Sequence, residues 1–237
     1  MRKQLLSVML AGAMAMALAG CGSKQAAPAE TTAAATEAET TAAESAAEES
    51  SAEETKAAAD IETVTPGKLT VATSPDFAPY EFYAIGEDGT PKLAGFDMDL
   101  AQYIADYLGL ELEVVTVDFD GVISELQTKS VDLGMAGLSP DEKRMGIMDF
   151  SDLYYMGGQS LVTVKDNAEK YNSFEAINKP DVSVGAQVGS IQMDLANENS
   201  PEADIVGLPK VTDIISELLT GKMDAAYIET DVAKSYQ

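Results

Sequence analysis

The stretch DLGMAGLSPDEKR, residues 132–144, decides the fold that we predict for this chain. Its apolar part, Leu133 to Ala136, is short and bounded by glycine, which is typical of a buried strand. The residues that follow predict a helix start. Ser139 caps the helix, Pro140 takes the first helical position and Glu142 completes a capping box. The stretch therefore predicts a strand, a turn and a helix.

One turn into this helix lies Arg144, which is the only arginine after Arg2. A guanidinium holds a carboxylate through two parallel hydrogen bonds, whereas a lysine ammonium acts as a point charge. With the Ser139 hydroxyl and the free backbone N–H groups of a helix start, Arg144 predicts a site for a small carboxylate. The alternative is a capped surface helix with Arg144 in solvent, and these residues alone leave both open.

The composition narrows the classes of function. The 237-residue chain has 15 basic and 40 acidic residues, a formal net charge of −25, so we expect no nucleic acid partner. The absence of histidine excludes Ser-His-Asp and Cys-His catalysis and the usual zinc sites. The single cysteine, Cys21, excludes internal disulfides. These absences favour a binding protein over an enzyme, without metal or cofactor.

Three other patterns in the sequence resemble ion or phosphate sites. Asp97 with Asp99, and Asp118 with Asp120, suggest calcium, but neither pair continues into an acid-rich loop with a distal glutamate. The glycine-containing segment 185–190 lacks the lysine of a phosphate loop. We therefore expect Asp97 to act as a helix cap.

Residues 1–21 have the pattern of an export signal. Arg2 and Lys3 form a basic start, and the apolar run Leu5–Leu18 is shorter than a comfortable membrane span. The run ends in Leu-Ala-Gly-Cys, which resembles the lipobox of bacterial lipoproteins. We therefore expect Cys21 to carry a lipid and to become the new N-terminus. The alternative is an ordinary secretory signal with a chance cysteine.

Residues 22–65 consist almost entirely of alanine, threonine, glutamate and serine. Because large apolar side chains are nearly absent, this segment cannot bury enough surface to fold. We expect a disordered tether that lifts a folded domain off the membrane.

From residue 66 onward, strand patterns alternate with helix patterns. Lys68–Thr73 and Leu110–Val117 have strand character, and the helix between them is predicted to stop at Gly109. A second strand-Gly-Ser-helix unit spans about residues 181–196. Such alternation predicts a mostly parallel sheet covered by helices.

Two segments depart from this alternation. Ser74–Phe82 is rich in proline and aromatic residues and is predicted to be a loop. Asp149–Gly158 is predicted to be an irregular crossing. The last predicted helix begins at Thr230 and reaches Gln237 without a closing Gly, Asn or Pro, which suggests that the chain is cut.

Six pieces of the chain carry a resemblance to a known family: SPDFAPYEF, GFDMDL, DFDGVISELQTKSVDLGMAGLSPDEKR, DFSDLYY, GAQVGSIQ and DAAYIE. In this order and behind a lipobox, they resemble the extracellular solute-binding proteins, family 3, of polar amino-acid ABC transporters. The resemblance covers residues 68–237. It implies an α/β, type II periplasmic-binding-protein-like fold with two hinged lobes, which we place at 66–157 and 158–237. It also implies that a C-terminal return segment is missing.

The resemblance assigns roles in the first lobe. Arg144 would clamp the α-carboxylate of an amino acid, with help from the Ser139 N–H. Ala136 and Gly137 would contact the ligand through their backbone. Phe77 would stack on the ligand side chain, and its alternative is a core phenylalanine.

The second lobe completes the implied site. Ser190 and Ile191 match the helix-start positions that add carboxylate contacts, with Gln192 as their neighbour. Glu229 matches the acid that takes the α-ammonium, and its alternative is a solvated acid at a strand end.

Ser74 falls where some binders of cationic amino acids carry an acid for the ligand side chain. Asp76 or Glu81 could supply that acid instead. The sequence leaves the identity of the amino acid open.

The leading hypothesis is a protein without catalysis that captures an amino acid by hinge closure and delivers it to permease subunits. It would act as a monomer, lipid-anchored on the extracellular face of the membrane, or in the periplasm where an outer membrane exists. An alternative is a dehydratase of a cyclic carboxylic acid on the same scaffold, with Glu229 or Asp76 as general acid or base. A sensory input domain is a third option.

Overall fold

A computed structural model describes residues 61–237. The expected signal segment with Cys21 and nearly all of the expected tether lie outside the described residues. In the described part, the chain folds into two sheets with helices on them and one small antiparallel sheet. No helix among residues 61–237 is long and apolar enough to cross a membrane.

The first sheet is parallel and has the order β5-β1-β6. Its strands are β1 (Lys68–Thr73), β5 (Glu111–Thr116) and β6 (Leu133–Gly134). Leu69 to Thr73 of β1 is buried throughout, as the central strand of a helix-covered parallel sheet should be. The prediction for Lys68–Thr73 is confirmed, while β6 is shorter than predicted.

Two helices pack on the first sheet, α1 (Phe96–Leu108) and α2 (Phe119–Gln127). The structure confirms that α1 stops at Gly109, which has φ 66 and returns its N–H to the carbonyls of Ala105 and Asp106. The prediction that Asp97 caps α1 is wrong. Gly95 takes the cap position, and Asp97 lies buried in the first turn.

An antiparallel sheet forms where a loop was predicted. It contains β2 (Asp76–Phe77), β3 (Glu81–Ile85) and β4 (Pro91–Ala94). The loop prediction for Ser74–Phe82 is therefore wrong in part, because tertiary pairing with β4 overrides the local proline and aromatic content.

The helix after β6 is a single turn, α3 (Glu142–Met145). Its cap is Asp141, whose carboxylate accepts the Arg144 N–H at 2.8 Å. The prediction that Ser139 caps this helix is wrong, since an aspartate two residues later takes that place.

The second sheet has the order β7-β10-β8-β9. Its strands are β7 (Gln159–Val162), β8 (Ser183–Gln187), β9 (Asp204–Leu208) and β10 (Ala225–Glu229), and only β7 runs antiparallel to its neighbour. The helices of this half are α4 (Phe174–Ile177), α5 (Ile191–Asn199), α6 (Val211–Leu219) and α7 (Thr230–Ser235).

The two halves share one apolar cluster. Phe77 and Tyr80 of the first half pack with Ile214, Ile228 and Val232 of the second. Residues 149–158 join the halves without helix or strand, as predicted. The α/β fold of the predicted class is confirmed, whereas the bounds of the lobes stay a prediction. We call the elements up to α3 the first lobe and those from β7 the second.

Candidate functional site

Residues of both lobes converge on one small cavity. Its wall is formed by Phe77, Phe119, Gly137, Ser139, Arg144, Gln159, Gln187, Ile191, Gln192 and Glu229. It encloses about 20 Å³. A neighbouring cavity of about 100 Å³ shares Phe77, Gly137, Ser139, Gln159 and Glu229 with it. We call the two together the cleft. Seven of the nine predicted ligand-binding residues line it.

Arg144 is buried in this wall, with only 6% of its surface exposed, so the alternative of a solvated surface arginine is wrong. Its Nε lies 3.3 Å from the Asp141 carboxylate. One terminal nitrogen donates to the Ser139 carbonyl at 2.9 Å, and the other donates to the Gly189 carbonyl of the second lobe at 3.1 Å. A guanidinium has five N–H groups, so one N–H remains on each terminal nitrogen.

The ring of Phe119 supports this guanidinium, whose central carbon lies 5.5 Å from the ring centroid. Burial lowers the pKa of Arg144, and the charges of Asp141 and Asp194 oppose that shift. Arginine nevertheless stays charged in proteins. The wall therefore presents a fixed cation with two unused donors.

Glu229 ends β10 and caps α7. One carboxylate oxygen accepts the N–H groups of Asp231 at 2.7 Å and Val232 at 2.8 Å. The other oxygen is buried, and no donor among the described residues reaches it. With 6% of its surface exposed, Glu229 is not the solvated acid of the alternative. A buried anion with an unused oxygen is the counterpart that an ammonium group requires.

The nine-residue helix α5 begins at the cleft. Ser190 caps it, accepting the Met193 N–H at 3.2 Å and donating its hydroxyl to the Gln187 carbonyl at 2.7 Å. Ile191 and Gln192 follow as the first two helical residues and line the cavity. Their N–H groups have no partner within the helix, since the first turn of any helix leaves them free. They stand near the Gly189 carbonyl that holds Arg144.

Phe77 and Phe119 give the wall its aromatic surface. Phe77 is both a core and a cavity residue, because it packs in the shared apolar cluster and also lines the cleft. Gly137 has φ 57, and a Cβ there would lie 2.8 Å from the Phe77 ring. The predicted backbone contact of Gly137 is limited to its carbonyl, because its N–H donates to Asp97 at 3.0 Å.

A buried acid pair lies behind the cleft. Asp97 accepts the Gly137 N–H and the Tyr154 hydroxyl, each at 3.0 Å. Glu81 is fully buried, and burial, with the charges of Asp97 and Asp76, raises its pKa well above the ordinary range. Burial also raises the pKa of Asp97, while the Gly137 N–H and the Tyr154 hydroxyl oppose the shift. Neither acid lines the cleft.

Asp76 is also buried and reaches into the second lobe. It accepts the Val211 N–H at 2.5 Å, the Gln187 amide at 3.3 Å and the Ser74 hydroxyl at 2.8 Å. Burial raises its pKa, and the bonds from Ser74 and Val211 oppose that shift. Glu81 and Asp76, which the sequence offered as side-chain acids, thus both lie outside the cavity wall. Asp76 is engaged by three protein donors, whereas neither carboxyl oxygen of Glu81 has a hydrogen-bond partner among the described residues.

The structure brings most predicted residues together but not all. Ala136 is fully buried in the core with Ala72 and Val122, and Ser190 lies just behind the wall as a cap. Phe119, Gln159 and Gln187 line the cavity, although sequence reasoning did not select them. Phe119 follows a predicted strand and Gln187 ends one, a position where sheets of this kind place ligand contacts, so a signal was present for these two. Gln159 instead begins a strand.

The arrangement is suited to a zwitterion. A cation with two free donors stands on one wall and an anion with one free oxygen on the other. A carboxylate and an ammonium group would satisfy both, and the two phenylalanines add aromatic surface to the same wall.

The sequence is similar to a known protein family and to individual curated proteins. A profile of the bacterial extracellular solute-binding proteins, family 3, matches residues 69–234. The arginine-binding extracellular protein ArtP of Bacillus subtilis is 36% identical over 171 residues, 71% of this chain and 64% of that protein. Cyclohexadienyl dehydratase of Pseudomonas aeruginosa is 30% identical over 158 residues, 67% of this chain and 58% of the enzyme. The chain thus spans less than two thirds of these curated relatives.

Among solved structures, the chain resembles an amino acid ABC transporter substrate-binding protein from Streptococcus pneumoniae bound to L-arginine. The TM-score is 0.69 at 39% sequence identity, and the match covers 72% of this chain and 70% of that one. The likeness therefore extends through both sequence and fold.

Proposed function

Because the chain belongs to the bacterial extracellular solute-binding proteins of family 3, we propose that it binds a free polar amino acid in the cleft and delivers it to ABC transporter permease subunits. One observation carries this proposal. Arg144 of the first lobe keeps two unused N–H groups, and Glu229 of the second lobe keeps one unused oxygen, at the wall of the same cavity.

Binding in this cleft would link the lobes. The ligand carboxylate takes the free donors of Arg144 together with the N–H groups of Ile191 and Gln192, and the ligand ammonium takes Glu229. Because these groups belong to both lobes, the ligand favours the closed arrangement by its differential contacts.

The experiment is calorimetric titration of the 237-residue protein with each standard amino acid. We expect one or a few to bind, and Arg144→Ala to weaken that binding by at least about 30-fold, because removing one partner of a buried charge pair costs ~2–5 kcal/mol. Lys179→Ala removes an exposed positive charge and is the control. Unchanged affinity in the Arg144 variant, with a normal melt, would refute the site.

The proposal includes an anchor. Cys21 in its lipobox would hold the protein, as a monomer, on the extracellular face of the membrane or in a periplasm, and the acidic segment after it would act as the tether. Support comes from the sequence and from relatives named as extracellular or periplasmic proteins. A Cys21→Ala protein that still sediments with membranes would rule the anchor out.

A dehydratase remains the second candidate because of the 30% identity to cyclohexadienyl dehydratase. Such an enzyme needs a carboxyl group at the reacting atoms. Asp76 is held by three hydrogen bonds outside the cavity wall, so of the two acids named for this role the free oxygen of Glu229 is the one at the cleft. Turnover of a cyclohexadienyl acid, lost in Glu229→Gln, would favour this alternative.

A further inference from the structure

Gln187 is the group in the cavity wall whose hydrogen-bonding atoms are fixed by the protein. Its amide nitrogen donates to the Pro209 carbonyl at 3.0 Å and to the Asp76 carboxylate at 3.3 Å. When Asp76 is ionised, both partners can only accept hydrogen bonds. A 180° flip of the Gln187 amide would place its oxygen against these acceptor oxygens, so the amide orientation is fixed. Since both hydrogens of the nitrogen are used, the oxygen is the atom that Gln187 has left for a ligand.

The other amides of the wall are not fixed in this way. Gln192 donates to the Gln159 oxygen at 2.7 Å, and neither amide has another partner among residues 61–237. The two can turn over together and keep their bond, so the pair offers either a donor or an acceptor. The pair can therefore bind either a donor or an acceptor of the ligand, whereas the fixed oxygen of Gln187 can bind only a donor.

Charge adds to this selection. Arg144 and Glu229 match the carboxylate and ammonium that all amino acids share. Among the buried acids behind the wall, Asp76 is the one bonded to Gln187, and its direct partners are a hydroxyl, an amide and a backbone N–H, none of them a cation. A negative side chain on the ligand would meet this charge across Gln187 in a poorly screened interior.

Resting on the proposed function, we propose that Gln187 determines specificity and that Asp76 positions it, so that the cleft takes amino acids whose side chain ends in N–H groups and rejects acidic ones. Guanidinium, amide, imidazole and ammonium groups can donate to the Gln187 oxygen. The flat members of this set also suit the space beside Phe77 and Phe119. Glutamate, which matches glutamine in shape, offers only acceptors.

The test is calorimetric titration of the 237-residue protein with all standard amino acids. The tightest binder should carry an N–H-bearing side chain. Glutamine should bind at least about 10-fold more tightly than glutamate, because the side chain of glutamate would leave the Gln187 oxygen unpaired. Gln187→Leu should weaken the tightest binder about 10- to 100-fold. Gln102→Leu, on the exposed face of α1, is the matched control and should change nothing.

Asp76→Asn tests the positioning role. It removes the charge and one fixed acceptor, so the ratio of glutamine to glutamate affinity should fall at least about fivefold, whatever happens to stability. A loss of stability without a change in this ratio would leave Asp76 a merely structural residue and refute its assigned role.

The outcomes separate the two proposals. If the protein melts cooperatively and no amino acid binds, the proposed function fails and the specificity assignment fails with it. If amino acids bind but the tightest is acidic or lacks N–H groups, only the specificity assignment is overturned. Equal losses in the Gln187 and Gln102 variants would also overturn it.

Discussion

At the scale of single residues, the cleft is defined by hydrogen-bonding capacity that the protein itself does not use. Arg144 is held by three protein acceptors and still keeps a donor on each terminal nitrogen. Glu229 caps α7 with one oxygen and leaves the other without a donor in the described part of the chain. Buried polar groups normally find partners, so an unused pair of opposite charge indicates a ligand.

Glu229→Gln tests the anionic half. The amide oxygen can still accept the N–H groups of Asp231 and Val232, so the cap should persist and stability should change little. An ammonium ligand loses its counter-charge, and we expect amino acid affinity to fall at least about 30-fold. Calorimetric titration measures it, with Glu198→Gln on the exposed face of α5 as the control. Retained affinity would place the ammonium elsewhere.

The sequence indicated part of this site for physical reasons. Arg144 could be found because it is the lone arginine of the folded part and follows a strand and a turn. The strand-end position of Glu229 was equally visible. The strand-end positions of Phe119 and Gln187 were visible too, but position alone did not select them, because an aromatic or amide residue there becomes a wall residue only through the approach of the other lobe.

At the scale of elements, the turn between β6 and α3 connects the core to the cleft. Gly137→Ala should destabilise the protein by ~1–2 kcal/mol because the residue must keep a positive φ. The contact of the new methyl group with the Phe77 ring should add to this loss. Displacing that ring should also weaken ligand binding.

Gly89→Ala is the matched control for Gly137→Ala. It has the same strain, with φ 76, but nothing lies within 4 Å of the added Cβ. Urea denaturation and titration distinguish the two, and equal effects on binding would contradict the contact.

The buried acid pair joins β3 to α1 and makes stability depend on pH. Burial raises the pKa of Glu81 in the folded protein only, so its proton is kept when the unfolded chain has lost its own. The resulting loss in the free energy of unfolding is therefore absent below the ordinary glutamate pKa. It grows as pH rises towards the pKa of Glu81 in the folded protein.

Glu81→Gln replaces the buried acid by an amide of the same shape that stays neutral at every pH. We expect a gain in stability at pH 7 and none near pH 4, with each kcal/mol raising Tm by about 2–4 °C. Thermal melts at the two pH values measure this, beside Glu87→Gln in the exposed turn. A gain of equal size at both pH values would contradict a raised pKa.

The elements themselves were predicted where local signals and burial agree. Strand β1 is confirmed to the residue, and its burial from Leu69 to Thr73 is that of a central strand in a helix-covered sheet. The antiparallel β2-β3-β4 sheet was missed, since its pairing depends on β4, which follows a turn. The cap of α3 was predicted at Ser139 and not at Asp141, because both residue types cap helices and the two lie only two positions apart.

At the scale of the whole molecule, contacts across the cleft hold the lobes in one arrangement. Arg144 donates to Gly189, and Lys143 pairs with Asp194 at 2.9 Å. Asp76 of the first lobe accepts the N–H of Val211, the first residue of α6 in the second lobe. The charged pair is exposed and contributes little by itself, so a ligand that binds both walls would be the main source of closure.

The most direct measurement compares the best-bound amino acid with its methyl ester and its Nα-acetyl derivative by calorimetric titration of the 237-residue protein. The ester lacks the carboxylate that Arg144 requires, and the acetyl derivative lacks the ammonium that Glu229 requires. We predict that each derivative binds at least about 100-fold more weakly than the parent, since each leaves one buried charge unpaired. Binding of either derivative within about threefold of the parent would contradict the clamp between the two lobes.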